Sequence, residues 1–231
     1  MLVTDAFVRG MTEGGGYTAQ TVHICGLKIT PCIGCLSCWG RTEGKCVLQG
    51  DDMEWVRQAI READVIIASF PMYLFGVPGQ LKLFADRLLP MMSAYRGQFV
   101  PKDDSPAHPW RHDTSGQKCL LISGCAYVET REVYDPILKQ CDLVLGRNRY
   151  TAILCPQLRT MIDNGGPRVR RTVEHFTAAG REFAESGTLS EKTMQKMTHP
   201  PFSQPVYEQI LESVWDGERK KGENGNDSSC H

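Results

Sequence analysis

The chain has 231 residues, a net charge of −1 and ten cysteines. That length suits one α/β domain with a C-terminal appendage, and a near-neutral balance without a basic stripe excludes an electrostatic footprint for nucleic acid. The start lacks a signal-peptide shape, and the longest apolar run, 65–77, is broken by Pro71 and too short to cross a bilayer. No membrane association and a cytoplasmic setting with reduced thiols are therefore the expectation, so the cysteines point to metal or redox chemistry rather than to disulfides.

Val3, Phe7 and Met11 share one stripe, with Leu2 and Ala6 beside it, which predicts a helix over Leu2–Glu13. Three glycines at 14–16 end it. Residues 19–24 read as a short strand. Asp51 and Asp52 then cap a helix whose apolar face is Met53, Val56, Ile60 and Ala63. The run 65–68 is continuously apolar, as in a parallel strand buried on both faces. A turn-like segment, 71–78, leads into a helix over 80–89 that buries Leu81, Phe84, Ala85 and Leu88.

Residues 97–117 read as a long polar loop. Further on, 119–123 and 150–154 read as strands, and 132–145, 168–186, 191–197 and 205–215 as helices. The division that follows is a main domain over 1–186, a helical extension over 187–216 and a disordered charged tail over 217–231. Strands alternating with helices predict a parallel sheet covered on both faces, with ligands at the carboxyl ends of its strands. The loops 30–50, 69–79 and 123–130 are thus the ones to watch.

The first of them holds Cys32, Cys35, Cys38 and Cys46, spaced C-x2-C-x2-C-x7-C. Four thiolates in fifteen residues suit an iron–sulfur cluster. They also suit structural zinc, or they are unmetallated thiols. The spacing departs from the ferredoxin run, since Cys46 is followed by Val47 and not by proline. The other cysteines read as small core hydrophobes, with Cys125 set apart because it follows a strand. The segment Pro71, Met72, Tyr73, Leu74, Phe75, Gly76 leaves a buried strand and is rich in aromatic surface, on which a flat cofactor would stack; the bland alternative is packing between subunits. His108 and His112 near Trp110 read as part of a solvated loop more readily than as metal ligands. Asp86 and Arg87 read as a structural ion pair.

Several of these stretches together resemble the flavodoxin-like NAD(P)H-dependent FMN reductases, and the compact cysteine pattern resembles their iron–sulfur flavoprotein branch. They are residues 31–39, 44–47, 51–53, 71–73, 79–82 and 86–87, with 179–182, Pro201 and Trp215 resembling the family's helical extension. The resemblance implies a doubly wound, five-stranded parallel sheet with helices on both faces and non-covalent FMN. It places the flavin ring against residues 71–76, with the 123–127 loop (Ser123, Gly124, Cys125, Ala126 and Tyr127) at its other edge. It further implies NAD(P)H as co-substrate and a quinone, nitro compound or protein as electron acceptor. A homodimer or homotetramer completes the expectation, and no catalytic acid or base is assigned.

In the family a strand and a Gly-Ser loop for the FMN phosphate precede the first helix, whereas this chain begins inside that helix. The expectation is an N-terminally truncated flavodoxin-like fold that binds FMN poorly. Three functions stand side by side on this reading. One is an FMN-dependent NAD(P)H oxidoreductase. Another is an electron-transfer iron–sulfur flavoprotein with a [4Fe–4S] cluster on the four cysteines. The last is a catalytically silent fold with free thiols or zinc.

Overall fold

The computed structural model describes residues 2–94, 104–158, 160 and 166–223. Its first element is helix α1, Leu2–Glu13, as the apolar stripe predicts; Val3, Ala6, Phe7, Gly10 and Met11 are buried along it. The expected strand at 19–24 does not form. That stretch is irregular and ends in one 3-10 turn at Ile24–Gly26. Over 21–24 its side chains still alternate between exposed and half-buried, but no neighbouring backbone completes a ladder with it among the described residues.

Helix α2, Met53–Glu62, strand β1, Val65–Pro71, and helix α3, Gly79–Asp86, follow. Next come β2, Lys118–Gly124, α4, Arg131–Leu145, and β3, Thr151–Cys155. Helices α5, Pro167–Ser186, α6, Glu191–Thr198, and α7, Gln204–Glu223, close the chain. α7 runs through 217–223, where a disordered tail was expected; residues 224–231 lie outside the described residues. So do residues 95–103 of the expected polar loop.

Among the described residues three strands are parallel in the order β1-β2-β3, against the five that the family resemblance implies. Register is continuous from Val65 opposite Lys118 to Pro71 opposite Gly124, and from Leu120 opposite Thr151 to Gly124 opposite Cys155. The central strand β2 is buried along Leu120–Gly124, whereas β1 is mostly half-exposed. The apolar run at 65–68 is therefore not buried on both faces as expected, because β1 is an edge strand among the described residues.

Side chains alternate across the sheet and feed two cores. On one face Leu120, Ile122, Ile153 and Cys155 pack against α1 and α5, with Val65 and Ile67 joining from β1. On the other, Phe70, Met72, Cys125, Tyr134 and Ile137 form a smaller cluster under α4. The α1–α5 contact is close enough to need glycine on both sides. A Cβ on Gly10 would lie 2.0 Å from the Thr177 carbonyl oxygen, and one on Gly180 would lie 2.0 Å from that of Phe7. Phe7 and Phe183 fill the crossing, with ring centroids 5.9 Å apart.

Helix α3 is shorter than predicted and ends at Asp86, with a 3-10 turn at Leu89–Met91 beyond it. Leu81, Phe84, Ala85 and Leu88 are only half-buried. α6 packs on α5 and β3, and its Met197 is fully buried in the larger core. Gln157 ties the following segment down: its amide donates to the Phe202 carbonyl at 2.7 Å and accepts from the Phe202 N–H at 2.9 Å.

Candidate functional site

The cysteine loop is a closed loop with a clipped base. The Lys28 N–H donates to Asp52 Oδ2 at 2.7 Å, and the Asp52 N–H donates back to the Lys28 carbonyl at 3.0 Å. The Thr30 N–H donates to Asp51 Oδ2 at 3.0 Å. Two adjacent aspartates thus hold the entry of the loop against its exit. Inside it Gly34 and Leu36 both have positive φ, +66° and +52°, which bends the chain sharply around Cys35. A single 3-10 turn at Ser37–Trp39 follows, and the Trp39 indole N–H donates to the Leu89 carbonyl at 3.1 Å.

These bends bring all four predicted cysteines to one open concavity, walled also by Leu48, Arg87, Leu89 and Pro90. Cys32 and Cys35 are exposed, Cys46 is intermediate and Cys38 is buried. Burial pushes the Cys38 thiol up, and charge on Cys46, Cys32 and Cys35 pushes it the same way. Hydrogen bonds from Ser37 instead hold the exposed Cys35 thiol below its ordinary range. Ionised together in this concavity, four thiolates would repel one another, and a cation there would relieve the repulsion. No three His, Cys, Asp or Glu side chains among the described residues converge tightly enough to grip a single ion.

Arg87 stands in the wall, 1% exposed. The expected Asp86–Arg87 pair does not exist in that form. Asp86 is bound by Lys82 at 2.6 Å on the surface, while Arg87 Nη1 donates to the buried Asp51 Oδ2 at 2.5 Å. Arg87 also donates to the Thr30 carbonyl, and its Nη2 donates to Leu48 O at 3.4 Å and Asp51 Oδ1 at 3.3 Å. One guanidinium thereby grips both ends of the cysteine loop. The 104–112 segment braces the loop from outside. His108 stacks on Trp39 with centroids 4.8 Å apart, and Arg111 pairs with Glu43 at 2.9 Å. His112 meets Trp110 edge-on at 5.7 Å.

A second feature lies at the carboxyl ends of β1 and β2. Pro71 ends β1 half-buried, and the Met72 N–H continues the ladder to the Gly124 carbonyl at 2.9 Å. Tyr73 and Gly76 then exchange two hydrogen bonds, of 3.0 and 2.9 Å, around a two-residue turn. Its central residues are Leu74 and Phe75, with φ of +48° and +59°. Asparagine and glycine favour such a turn; two large apolar residues are strained in it. Leu74 is 97% exposed, and Phe75 stacks on Tyr127 at 5.9 Å and 28°. Exposed apolar groups on a strained turn are a mark of a binding edge.

The other predicted residues of this edge turn away from it. Ser123 is buried and shares a 2.9 Å hydrogen bond with the Tyr134 hydroxyl. Cys125 is buried in the smaller core, and burial raises its thiol. Gly124 is covered by Leu158, whose Cδ2 would lie 2.7 Å from an added Cβ. The side chains of Ser123 and Cys125 are therefore turned into the interior, and Gly124 has none to offer. Tyr127 lies in the 123–127 loop that the family resemblance sets at the edge of the flavin. Sequence reasoning missed Arg87 and Asp51 as parts of the site, and neither carried a local signal.

The sequence of residues 2–103 matches the family model described as NADPH-dependent FMN reductase. An iron–sulfur flavoprotein of Archaeoglobus fulgidus is 40% identical over 78 residues, 34% of this chain and 34% of its own. Another, of Methanocaldococcus jannaschii, is 35% identical over 81 residues, 35% of this chain and 40% of its own. The chain thus matches between about a third and two fifths of the length of these relatives. An FMN-dependent NADH-azoreductase of Bacillus anthracis, solved in complex with FMN, shares the fold with a TM-score of 0.53 at 15% identity. That likeness covers 79% of this chain and 90% of the azoreductase. Residues 2–103 thus resemble the NADPH-dependent FMN reductase family, and the parallel sheet has a flavodoxin-like fold.

Proposed function

We propose that this protein is an FMN-dependent oxidoreductase of the iron–sulfur flavoprotein kind, with a [4Fe–4S] centre on Cys32, Cys35, Cys38 and Cys46. The observation that carries the reading is the convergence of these four cysteines on one concavity. Four cysteine thiols are the donor set that a [4Fe–4S] cluster takes, and structural zinc takes the same set. The match to iron–sulfur flavoproteins favours the cluster.

FMN fits the aromatic edge. Tyr73, Phe75 and Tyr127 leave ring surface exposed where β1 and β2 end, and Phe75 and Tyr127 already stack there. Thr4, in the first turn of α1, shares a 2.6 Å hydrogen bond with Ser69 near the end of β1, so the positive end of α1 faces the same edge. When bound, FMN supplies a centre that takes two electrons as hydride and releases them singly, and a [4Fe–4S] cluster supplies one-electron exchange.

The chain's own groups bind and orient. Phe75 and Tyr127 would offer a flat ring an aromatic surface, and Leu74 would shield that edge from water. The four thiolates would hold iron, and the Asp51–Arg87 pair fixes the loop that carries them. Helix α3 separates the two places. Its eight residues span about 12 Å. The reductant of this reading is NAD(P)H, and the acceptor is a quinone, a nitro compound or a protein. A homodimer or homotetramer is part of the reading, as is the division at 186. Turnover with NAD(P)H alone distinguishes the oxidoreductase from an electron carrier, which needs a protein partner.

Titration with FMN, followed by flavin fluorescence, tests the edge. Tyr127→Ala should weaken binding by about 1 kcal/mol, roughly fivefold in Kd. An unchanged Kd would remove the flavin from this edge.

A further inference from the structure

Arginine carries five N–H donors. In Arg87 four are spent: two from Nη1 on Asp51 and the Thr30 carbonyl, and two from Nη2 on Asp51 and the Leu48 carbonyl. The fifth, Nε–H, is buried and has no partner. An orphaned N–H on a 1% exposed cation is costly and calls for an explanation. Arg87 lies in the wall of the concavity that the four cysteines share. The acceptors those neighbours would present there are sulfur atoms.

Resting on the cluster reading above, we infer that Arg87 is a positioning residue whose Nε–H donates to a sulfur of the anionic iron–sulfur centre and raises its reduction potential. The physical reason is charge. A [4Fe–4S] centre with four thiolates gains one negative charge on reduction, and a hydrogen bond to sulfur stabilises the more negative state. Asp51 supports this role without competing for it. It fixes the guanidinium through Nη1 and Nη2 and leaves Nε free. The arrangement also explains why arginine stands here. Lysine would place a methylene where Nε lies and its charge one atom further on, so it would keep the ion pair and lose the donor.

Arg87→Lys separates the two contributions. The variant and the parent are reconstituted without air, and iron, sulfide and the midpoint potential are measured on each. The expected result is full iron content with a potential lower by about tenfold in the reduction equilibrium, which is about 59 mV for one electron. The Fe–S stretching bands should also lose the deuterium sensitivity that the parent shows. A second variant, Arg87→Met with Asp51→Leu, removes the buried pair as a whole, an exchange that is often tolerated; it should shift the potential the same way. Unchanged potentials in both variants overturn the inference and leave the cluster reading standing. Loss of iron from both overturns it too, because one missing donor does not remove four ligands. A parent protein that takes up no iron and sulfide overturns the cluster reading itself.

Discussion

Gly180→Ala is expected to destabilise the protein by about 3 kcal/mol. The added methyl would sit 2.0 Å from the Phe7 carbonyl oxygen and 2.9 Å from the Met11 nitrogen, both main-chain atoms that no rotamer change can move aside. The two helices must separate, and Phe7, Phe176 and Phe183 lose packing between them. Gly10→Ala should cost a similar amount from the other side, where Thr177 O is the obstacle. Gly217→Ala in α7 is the control. It has open space around it and should stabilise by about 0.5–1 kcal/mol through helix propensity alone. Urea unfolding of the three variants checks this. Equal midpoints for Gly180→Ala and the parent would mean that α1 does not lie against α5 at this distance.

Asp51→Leu is expected to cost about 3–5 kcal/mol, because it strands the Arg87 guanidinium in the interior. Removing the exposed partner of Lys82, by Asp86→Ala, should cost less than about 1 kcal/mol. The contrast arises from burial: the side chains of Arg87 and Asp51 are 1% and 3% exposed, against 53% and 46% for Lys82 and Asp86. Acid titration gives the same pair a signature. Burial pushes the Asp51 carboxyl up, but hydrogen bonds from Arg87, Thr30 and Met53 and the charge of Arg87 outweigh it and hold the group below its ordinary range. A depressed folded-state value stabilises above the unfolded pKa of about 4 and is lost as pH falls through the lower folded value. Asp51→Asn should therefore flatten the acid limb of stability against pH. Parallel limbs in variant and parent would contradict the assignment.

How much of this was legible in the sequence depends on how local each cause is. α1 was readable to the residue because Val3, Phe7 and Met11 repeat at helical spacing and three glycines stop the pattern. β2 was readable because the central strand is buried on both faces and reads as an apolar run. Residues 19–24 have strand-like alternation, but a strand exists only through its neighbour, and none of the described residues ladders with them. Asp51 read as a helix cap. It does accept from the Met53 N–H, at 3.2 Å, yet its stronger partner is 36 residues away. No local pattern announces such a pair. The same holds for Ser123, whose hydroxyl is claimed by Tyr134 on α4. The cysteine loop was legible because its four cysteines are close in sequence, and its wall of Arg87, Leu89 and Pro90 came from elsewhere.

The central claim is that Cys32, Cys35, Cys38 and Cys46 hold an iron–sulfur cluster. The most direct measurement is iron, acid-labile sulfide and zinc per chain, with an absorption spectrum, on protein purified without air. The account predicts about four irons and four sulfides, a broad charge-transfer shoulder and no stoichiometric zinc. It also predicts loss of the shoulder in Cys38→Ser. One zinc per chain without sulfide, or a colourless metal-free protein with four freely titratable thiols, would contradict it.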